Sequence, residues 1–274
     1  DSSVNAEIDL LVAAINTYEK IGFTKLKLKV NDRRILAQVI VNAGFSEDKV
    51  IDVNISLDKL DKIGTDGVKE ELVAKGYDVN SVDTLLSTID AVKNAKDLDD
   101  TKSILLNAGV EETIIDGVVN IINVVGTFST STKVVYDITV IRGQGYYTGT
   151  VFEMYDESSD FTRAIGGGGR YDKMLERFIG TSVPAVGYSI GLEPVVLLLL
   201  ENNKTFASKK IVLLYNKEDN IIDVLKAKQD LISKGYEVSI YLFPKNFKNF
   251  LERMKESNFI GFVKLNDIDN IQSI

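Results

Sequence analysis

Residues 142 to 172 read RGQGYYTGTVFEMYDESSDFTRAIGGGGRYD. The segment from Tyr146 to Tyr155 is rich in β-branched and aromatic side chains and predicts a strand. Arg163 to Ile165 starts another and leads into Gly166, Gly167, Gly168 and Gly169. On the N-terminal side, Val134 to Ile141 has the same strand composition. On the C-terminal side, Tyr171 to Phe178 predicts a helix, Val186 to Ile190 a strand and Leu192 to Leu200 a buried helix. Short strands in succession, with few helices between them, argue for an antiparallel sheet in an α+β domain rather than a doubly wound one.

The pattern upstream is of two kinds. Ile8, Leu11, Val12, Ile15 and Tyr18 recur at helical spacing over residues 6 to 21, and Gly22 stops the run. Lys25 to Val30 then alternates strictly, with Leu26, Leu28 and Val30 on one face and lysines on the other. Asn31 or Asp32 serves as N-cap of a helix reaching about Asn42. From Asp48 to Gly126 the texture is helical throughout, punctuated by glycines and by the cluster of Asp97, Asp99 and Asp100 at a helix start. Downstream, residues 201 to 207 read as a polar linker. Strand, helix, strand, helix, strand follow over Lys210–Tyr215, Ile221–Lys234, Glu237–Phe243, Asn246–Ser257 and Phe259–Leu265, a small α/β unit with parallel crossovers. The expected organisation is a mixed domain in two parts (1–47 and 131–202), a helical insertion (48–130) and the α/β unit (203–274).

Composition narrows the chemistry. The 274 residues include no Cys, no His and no Trp. Disulfides, thiolate nucleophiles, imidazole bases and Cys- or His-ligated metals are excluded within this sequence. Catalysis must use carboxylates, Arg, Lys, Tyr, hydroxyls, backbone groups or a hard ion such as Mg²⁺. The net charge of −8 gives no global nucleic-acid footprint. The longest strongly apolar run, Val195 to Leu200, is too short to span a bilayer, no signal peptide is visible, and a cytoplasmic location is the default. The sequence starts at Asp1, inside the approach to a helix, and is expected to be part of something longer.

Three segments could carry a site. Arg142, flanked by glycines at a strand junction, offers a planar two-donor fork for a phosphate or carboxylate, with Tyr146 and Tyr147 beside it. In a strand those tyrosines point to opposite faces, so one lines a given cavity; the same letters also suit an ordinary hairpin with tyrosines as sheet filler. The four-glycine run makes sense where a ligand lies directly against the backbone, though a flexible loop reads the same. It lacks the strand–GxGxxG–helix and GK[ST] contexts of dinucleotide and P-loop folds. Pro184 to Glu193 (PAVGYSIGLE) reads as strand, turn and helix start.

In this order the three segments closely resemble the class II aminoacyl-tRNA synthetases, specifically the histidyl-tRNA synthetase family, and the resemblance covers nearly the whole chain. Arg142 to Glu153 is similar to that family's histidine-binding signature, Gly166 to Asp172 to its glycine-rich active-site strand and turn, and Pro184 to Glu193 to motif 3. Val30 to Leu36 and Leu57 to Lys62 are similar to the segments flanking the family's helical insertion.

The resemblance implies a cytoplasmic homodimer that activates histidine with ATP and Mg²⁺ and esterifies it to tRNA(His), without an organic cofactor or a protein-held metal. It implies that Arg142 is catalytic and touches ATP. Tyr146, Tyr147, Gly166, Gly167 and Gly168 would bind histidine, and Gly169, Gly191 and Glu193 would bind ATP. The helical block would hold the acceptor arm. The last unit would bind the anticodon, with Lys245, Lys248, Arg253 and Lys255 as candidate phosphate contacts, although a solvated helix face reads the same. Motifs 1 and 2 would lie before Asp1. Two positions depart from the family pattern: Pro194 follows Glu193 where the family carries Arg, and Gly145 stands where the signature carries Asp. The alternative implied is a non-aminoacylating paralogue, such as the histidine-sensing regulatory subunit of ATP phosphoribosyltransferase.

Overall fold

The helical spacing at the N-terminus forms α1 (Asn5–Lys20), which buries Leu11, Ile15 and Tyr18. The strictly alternating segment after it forms β1 (Leu26–Asp32). The fold described here is a computed structural model covering residues 1–141, 145–201 and 209–274. Arg142, Gly143 and Gln144 lie outside those residues, as does most of the linker expected at 201–207. The chain divides into two units, Asp1–Leu198 and Leu199–Ile274.

In the first unit β1 runs two residues further than its alternation suggested. Asn31 is not the helix cap; its amide donates to the carbonyls of Ile138 and Val140 at 3.0 and 3.2 Å. Asp32 caps α2 (Arg33–Asn42) by accepting the amide of Arg34. A 3-10 turn at Glu47–Lys49 leads into α3 (Val50–Leu57), α4 (Leu60–Ala74), α5 (Val79–Lys93), α6 (Leu98–Asn107) and α7 (Glu112–Gly126). Gly64, at φ 69° and ψ 177°, kinks α4, a conformation that a side chain would strain. Asp97 caps α6 by accepting the amide of Asp100. The last of these helices, α7, buries Ile115, Val118, Ile121, Ile122 and Val125 and packs on α1, β1 and β2 (Thr132–Tyr136).

The remaining elements of this unit are β3 (Thr150–Asp156), β4 (Gly166–Arg170), α8 (Glu176–Ile179), β5 (Val186–Ile190) and α9 (Leu192–Glu201). The sheet has the order β2-β1-β3-β4-β5, parallel between β1 and β2 and antiparallel elsewhere. Register places Val30, Phe152, Gly168 and Tyr188 in one row across four strands. That row faces α1: Tyr188 meets Tyr18 edge-on and stacks on Phe152.

Four sequence expectations change here. The strand expected over 134–141 ends at Tyr136, because the Asp137 carboxylate accepts the amide and hydroxyl of Thr139 and turns the chain. The strand expected from Tyr146 begins only at Thr150. The helix expected over 171–178 is one turn, Glu176–Ile179. The helix at 192–200 forms, but is buried on one side only: Val195, Leu198 and Leu199 are buried while Leu192, Val196, Leu197 and Leu200 are exposed.

The second unit contains β6 (Lys210–Tyr215), α10 (Ile221–Ser233), β7 (Glu237–Leu242), α11 (Phe247–Glu256), β8 (Gly261–Lys264) and β9 (Asp267–Ser273), with sheet order β7-β6-β8-β9. Residues Ile211 and Leu213 of β6 pack with Val224 and Leu231 of α10, while Val212 and Leu214 pack with Phe250 and Met254 of α11. Burial on both faces explains why β6 is apolar without alternation. The edge strand β9, antiparallel to β8, is an addition to the three strands expected.

Candidate active face of the first sheet

The glycine strand β4 has two faces with different neighbours. A Cβ on Gly166 would strike the hydroxyls of Tyr18 and Tyr188, and one on Gly168 would strike the Gly187 carbonyl and the Phe152 ring. Both point toward the α1 side. Arg170 continues that face and is buried at 7% exposure. Its guanidinium donates to both carboxylate oxygens of Glu7 on α1, at 2.6 and 2.5 Å, to Asp172 at 3.1 Å, and to the carbonyls of Asp1 and Ser3. The charge-assisted bonds to Glu7 hold the Arg170 guanidinium more firmly protonated than usual, against the opposing effect of burial.

Gly167 and Gly169 face the other way. A Cβ on Gly169 would come within 2.9 Å of the Tyr147 ring and 2.6 Å of the Thr150 carbonyl. Tyr147 is buried in a cluster with Val140, Val151 and Tyr171, and Tyr146 is 40% exposed. Because residues 146–149 are a turn rather than a strand, the two tyrosines do not part to opposite faces. Their ring centroids are 4.6 Å apart, and both approach Tyr171, at 6.0 and 6.4 Å. The turn is tied to the end of β4: the Thr148 amide donates to the Arg170 carbonyl at 2.8 Å, and the Asp172 amide donates to the Thr148 hydroxyl at 3.1 Å. A cavity of about 750 Å³ opens beside Tyr146, lined also by Gly145, Thr148 and Met174.

Along the same face the register sets Glu153 between Lys29 on β1 and Gly167 on β4. The Tyr155 hydroxyl donates to Glu153 at 2.6 Å, and the Lys29 ammonium sits 4.9 Å from the Tyr155 ring centre while pairing with Asp137 at 2.8 Å. Burial raises the Asp137 carboxyl, but the Lys29 and Thr139 donors outweigh it and hold it below the usual carboxylate range. Burial and the neighbouring carboxylate push the Tyr155 hydroxyl up, so it stays a donor. Lys29, Asp137, Glu153 and Tyr155 were absent from the sequence-derived candidates. Alternation in β1 had put Lys29 on the polar face, but a non-local strand pairing brings the other three to it.

The sequence-derived residues therefore separate. Tyr146, Tyr147, Gly167 and Gly169 share one face; Gly166 and Gly168 present their Cα hydrogens to the packed core. Gly191 lies at the start of α9, where its amide donates to the Ile165 carbonyl, and Glu193 is exposed in the first turn. Pro194 fills the space against Gly191, and Pro in a first helical turn leaves no needed donor missing. Among the described residues nothing lies within 4 Å of where a side chain on Gly145 would begin. In the second unit Lys245, Lys248, Arg253 and Lys255 are all exposed around α11, whose Asn246 cap and buried Phe250 and Met254 orient it. Sequence reading passed over the aromatic neighbours of that helix: Phe243 is 42% exposed, stacks on Phe247 and lies under the Lys264 ammonium.

Residues 1–195 match the family model described as Histidyl-tRNA synthetase. The chain belongs to the histidyl-tRNA synthetase family. It is 35% identical over 266 residues to the histidine–tRNA ligase of Leifsonia xyli, and 37% identical over 273 residues to the probable histidine–tRNA ligase of Tropheryma whipplei. Each alignment takes in 96% of this chain but only 61% and 62% of the relative, so the chain spans about three fifths of the curated family members it matches. Among solved structures it is similar to a histidyl-tRNA synthetase from a Nostoc species, with a TM-score of 0.69 at 22% identity over 96% of this chain and 63% of that one. A Bacillus halodurans structure described as an ATP phosphoribosyltransferase regulatory subunit/histidyl-tRNA synthetase gives 0.63 at 16% identity, over 96% and 65%. At those identities the likeness is one of fold, and it places the sheet among the class II synthetase folds.

Proposed function

We propose that the protein is a histidine–tRNA ligase, activating histidine with ATP to histidyl-adenylate and passing it to tRNA(His), in the cytoplasm and as a homodimer. The observation that carries the reading is the Tyr147 ring laid against Gly169, with Tyr146 beside it, at the open end of a side-chain-free strand. A planar amino acid fits such a surface: tyrosine edges for the imidazole, bare backbone beneath. Family membership supplies the reaction. Arg142, by its place in the signature, bridges the histidine carboxylate and the α-phosphate, which is positioning and charge neutralisation rather than proton transfer. The glycine strand forms the floor through the face of Gly167 and Gly169, with Gly166 and Gly168 turned to the core behind it, and Gly191 and Glu193 border the ATP. Among the described residues there is no group of three or more carboxylates that could hold a metal ion. The Mg²⁺ expected with ATP belongs to its phosphates.

On this reading 1–47 and 131–202 are the catalytic domain, 48–130 holds the acceptor arm, and 203–274 reads the anticodon. Lys245, Lys248, Arg253 and Lys255 face its phosphates. A second reading, a histidine-sensing paralogue that does not aminoacylate, is favoured by one observation: Pro194 removes the cation expected beside ATP. The test is charging of tRNA(His) with labelled histidine by the intact protein. Charging supports the ligase, and histidine binding without charging supports the paralogue. No helix among the described residues is long and apolar enough to cross a membrane.

A further inference from the structure

A cleft of about 460 Å³ separates the β1–β2 edge of the first sheet from the corner between α5 and α6. Five lysines line it, Lys27 and Lys29 from β1, Lys133 from β2, and Lys93 and Lys96 from the helical corner, against two aspartates, Asp97 and Asp137. Lys27 is paired with Glu157 at 3.1 Å and Lys29 with Asp137 at 2.8 Å. Asp97 is engaged in capping α6. Lys93, Lys96 and Lys133 are exposed and have no ion-pair partner among the described residues. Three lysines from two places thus face one opening with the Asp97 carboxylate as the remaining counter-charge in the lining, an excess of positive charge on a protein whose net charge is −8. Such a concentration of one sign against the global charge draws anions into a cleft whose walls focus the field. Tyr136, which also lines the cleft, keeps its buried hydroxyl without a hydrogen-bond partner.

The identity of the lining narrows the ligand. Lysine is a compact, freely rotating point charge suited to phosphate and poor at reading a base edge. Among the described lining residues there is no Arg, Asn or Gln, the side chains that make two-point contacts with bases, and Tyr136 is the only aromatic available for stacking. We infer that this cleft is a sequence-independent phosphodiester site, in which Lys93, Lys96 and Lys133 grip the backbone of the RNA substrate. The inference rests on the proposed ligase reading for the identity of that RNA, and it assigns the contact to sugar-phosphate alone.

The experiment measures binding of tRNA(His) transcript and of a scrambled RNA of equal length by the intact protein, from about 50 to 200 mM salt. It compares the wild type with the triple variant Lys93→Gln, Lys96→Gln, Lys133→Gln. Three lost phosphate contacts should lower the slope of log affinity against log salt by roughly 2 to 3, and weaken both RNAs about tenfold or more. A triple Lys→Arg variant should keep wild-type affinity, and circular dichroism checks that each variant folds. Unchanged RNA affinity and slope in the folded Gln variant would overturn the inference. So would a loss confined to the tRNA transcript, which would mean sequence readout. Inorganic pyrophosphate measured by equilibrium dialysis is the control for a free-phosphate site: loss of pyrophosphate binding with RNA affinity intact would also overturn it. Absence of charging by the wild type counts against the ligase reading alone, since RNA binding is measured independently.

Discussion

The two faces of the first sheet are built from the same strands and do opposite things. On the α1 side, Phe152, Tyr188 and Tyr18 press against Gly166 and Gly168 with no room for a methyl group, and the Glu7–Arg170 pair closes the end of the strand. On the other side, Gly169 is overlaid by Tyr147, Gly167 pairs with Glu153, and the polar groups are only partly covered. Glycine is thus required twice on one strand, at alternating positions, for dense packing against α1 on one face and for close approach of the Tyr147 ring and the Thr150 carbonyl on the other. A run of four glycines reads from sequence as one feature; the register divides it into two.

Replacing Glu7 by Ala strips the buried Arg170 guanidinium of its two-point carboxylate partner and leaves it Asp172 and two backbone carbonyls, and should cost about 3–5 kcal/mol in urea unfolding. Smaller is Gly168→Ala, whose methyl would meet backbone on β5 and the Phe152 ring; overpacking of this kind costs about 3 kcal/mol by the same measurement, and histidine affinity in the folded fraction should hold. Gly169→Ala sharpens the contrast, because there the obstruction includes the Tyr147 ring. It should lose about 1–2 kcal/mol of stability yet raise KM for histidine by roughly tenfold. Equal effects on stability and KM at both glycines would erase the distinction between the faces.

The smallest effect belongs to the Lys29–Asp137 pair on the open face, about 1 kcal/mol for Asp137→Asn at neutral pH. Asp137 titrates below the usual range in the folded state. Its contribution is therefore full above about pH 4, where the unfolded carboxyl is ionised, and disappears as pH falls through the folded value. The stability difference between wild type and variant should shrink on acidification below about pH 4, and a difference independent of pH would contradict the role of the pair.

Much of the architecture was legible in the sequence. Lys25 to Val30 alternates because one face is core and the other is not. Lys210 to Tyr215 is apolar throughout because both its faces are covered. The misses have physical causes. Tyr146 and Tyr147 have strand composition, yet the contacts that fold them into a turn come from Arg170 and Asp172, more than twenty residues away. The edge strand β9 hides because an irregularity in its pairing with β8 breaks the period of two, so that Ile268 and Ile271, three apart, both pack on the second core. On the open face, Tyr146, Tyr147 and the glycine run could be named from their letters, but the division that turns Gly166 and Gly168 to the core could not. The Lys29, Asp137, Glu153 and Tyr155 group could not, since strand pairing between distant segments assembles it.

On the proposed reading, histidine binds for activation at the face carrying Tyr147 and Gly169. Histidine-dependent exchange of pyrophosphate into ATP by the intact protein tests it most directly, with Tyr147→Ala beside the wild type. Exchange should require histidine in the wild type and fall by at least about a hundredfold in a folded Tyr147→Ala protein. Exchange at the wild-type rate in that variant, or no exchange by a wild type that still binds histidine, would contradict that reading.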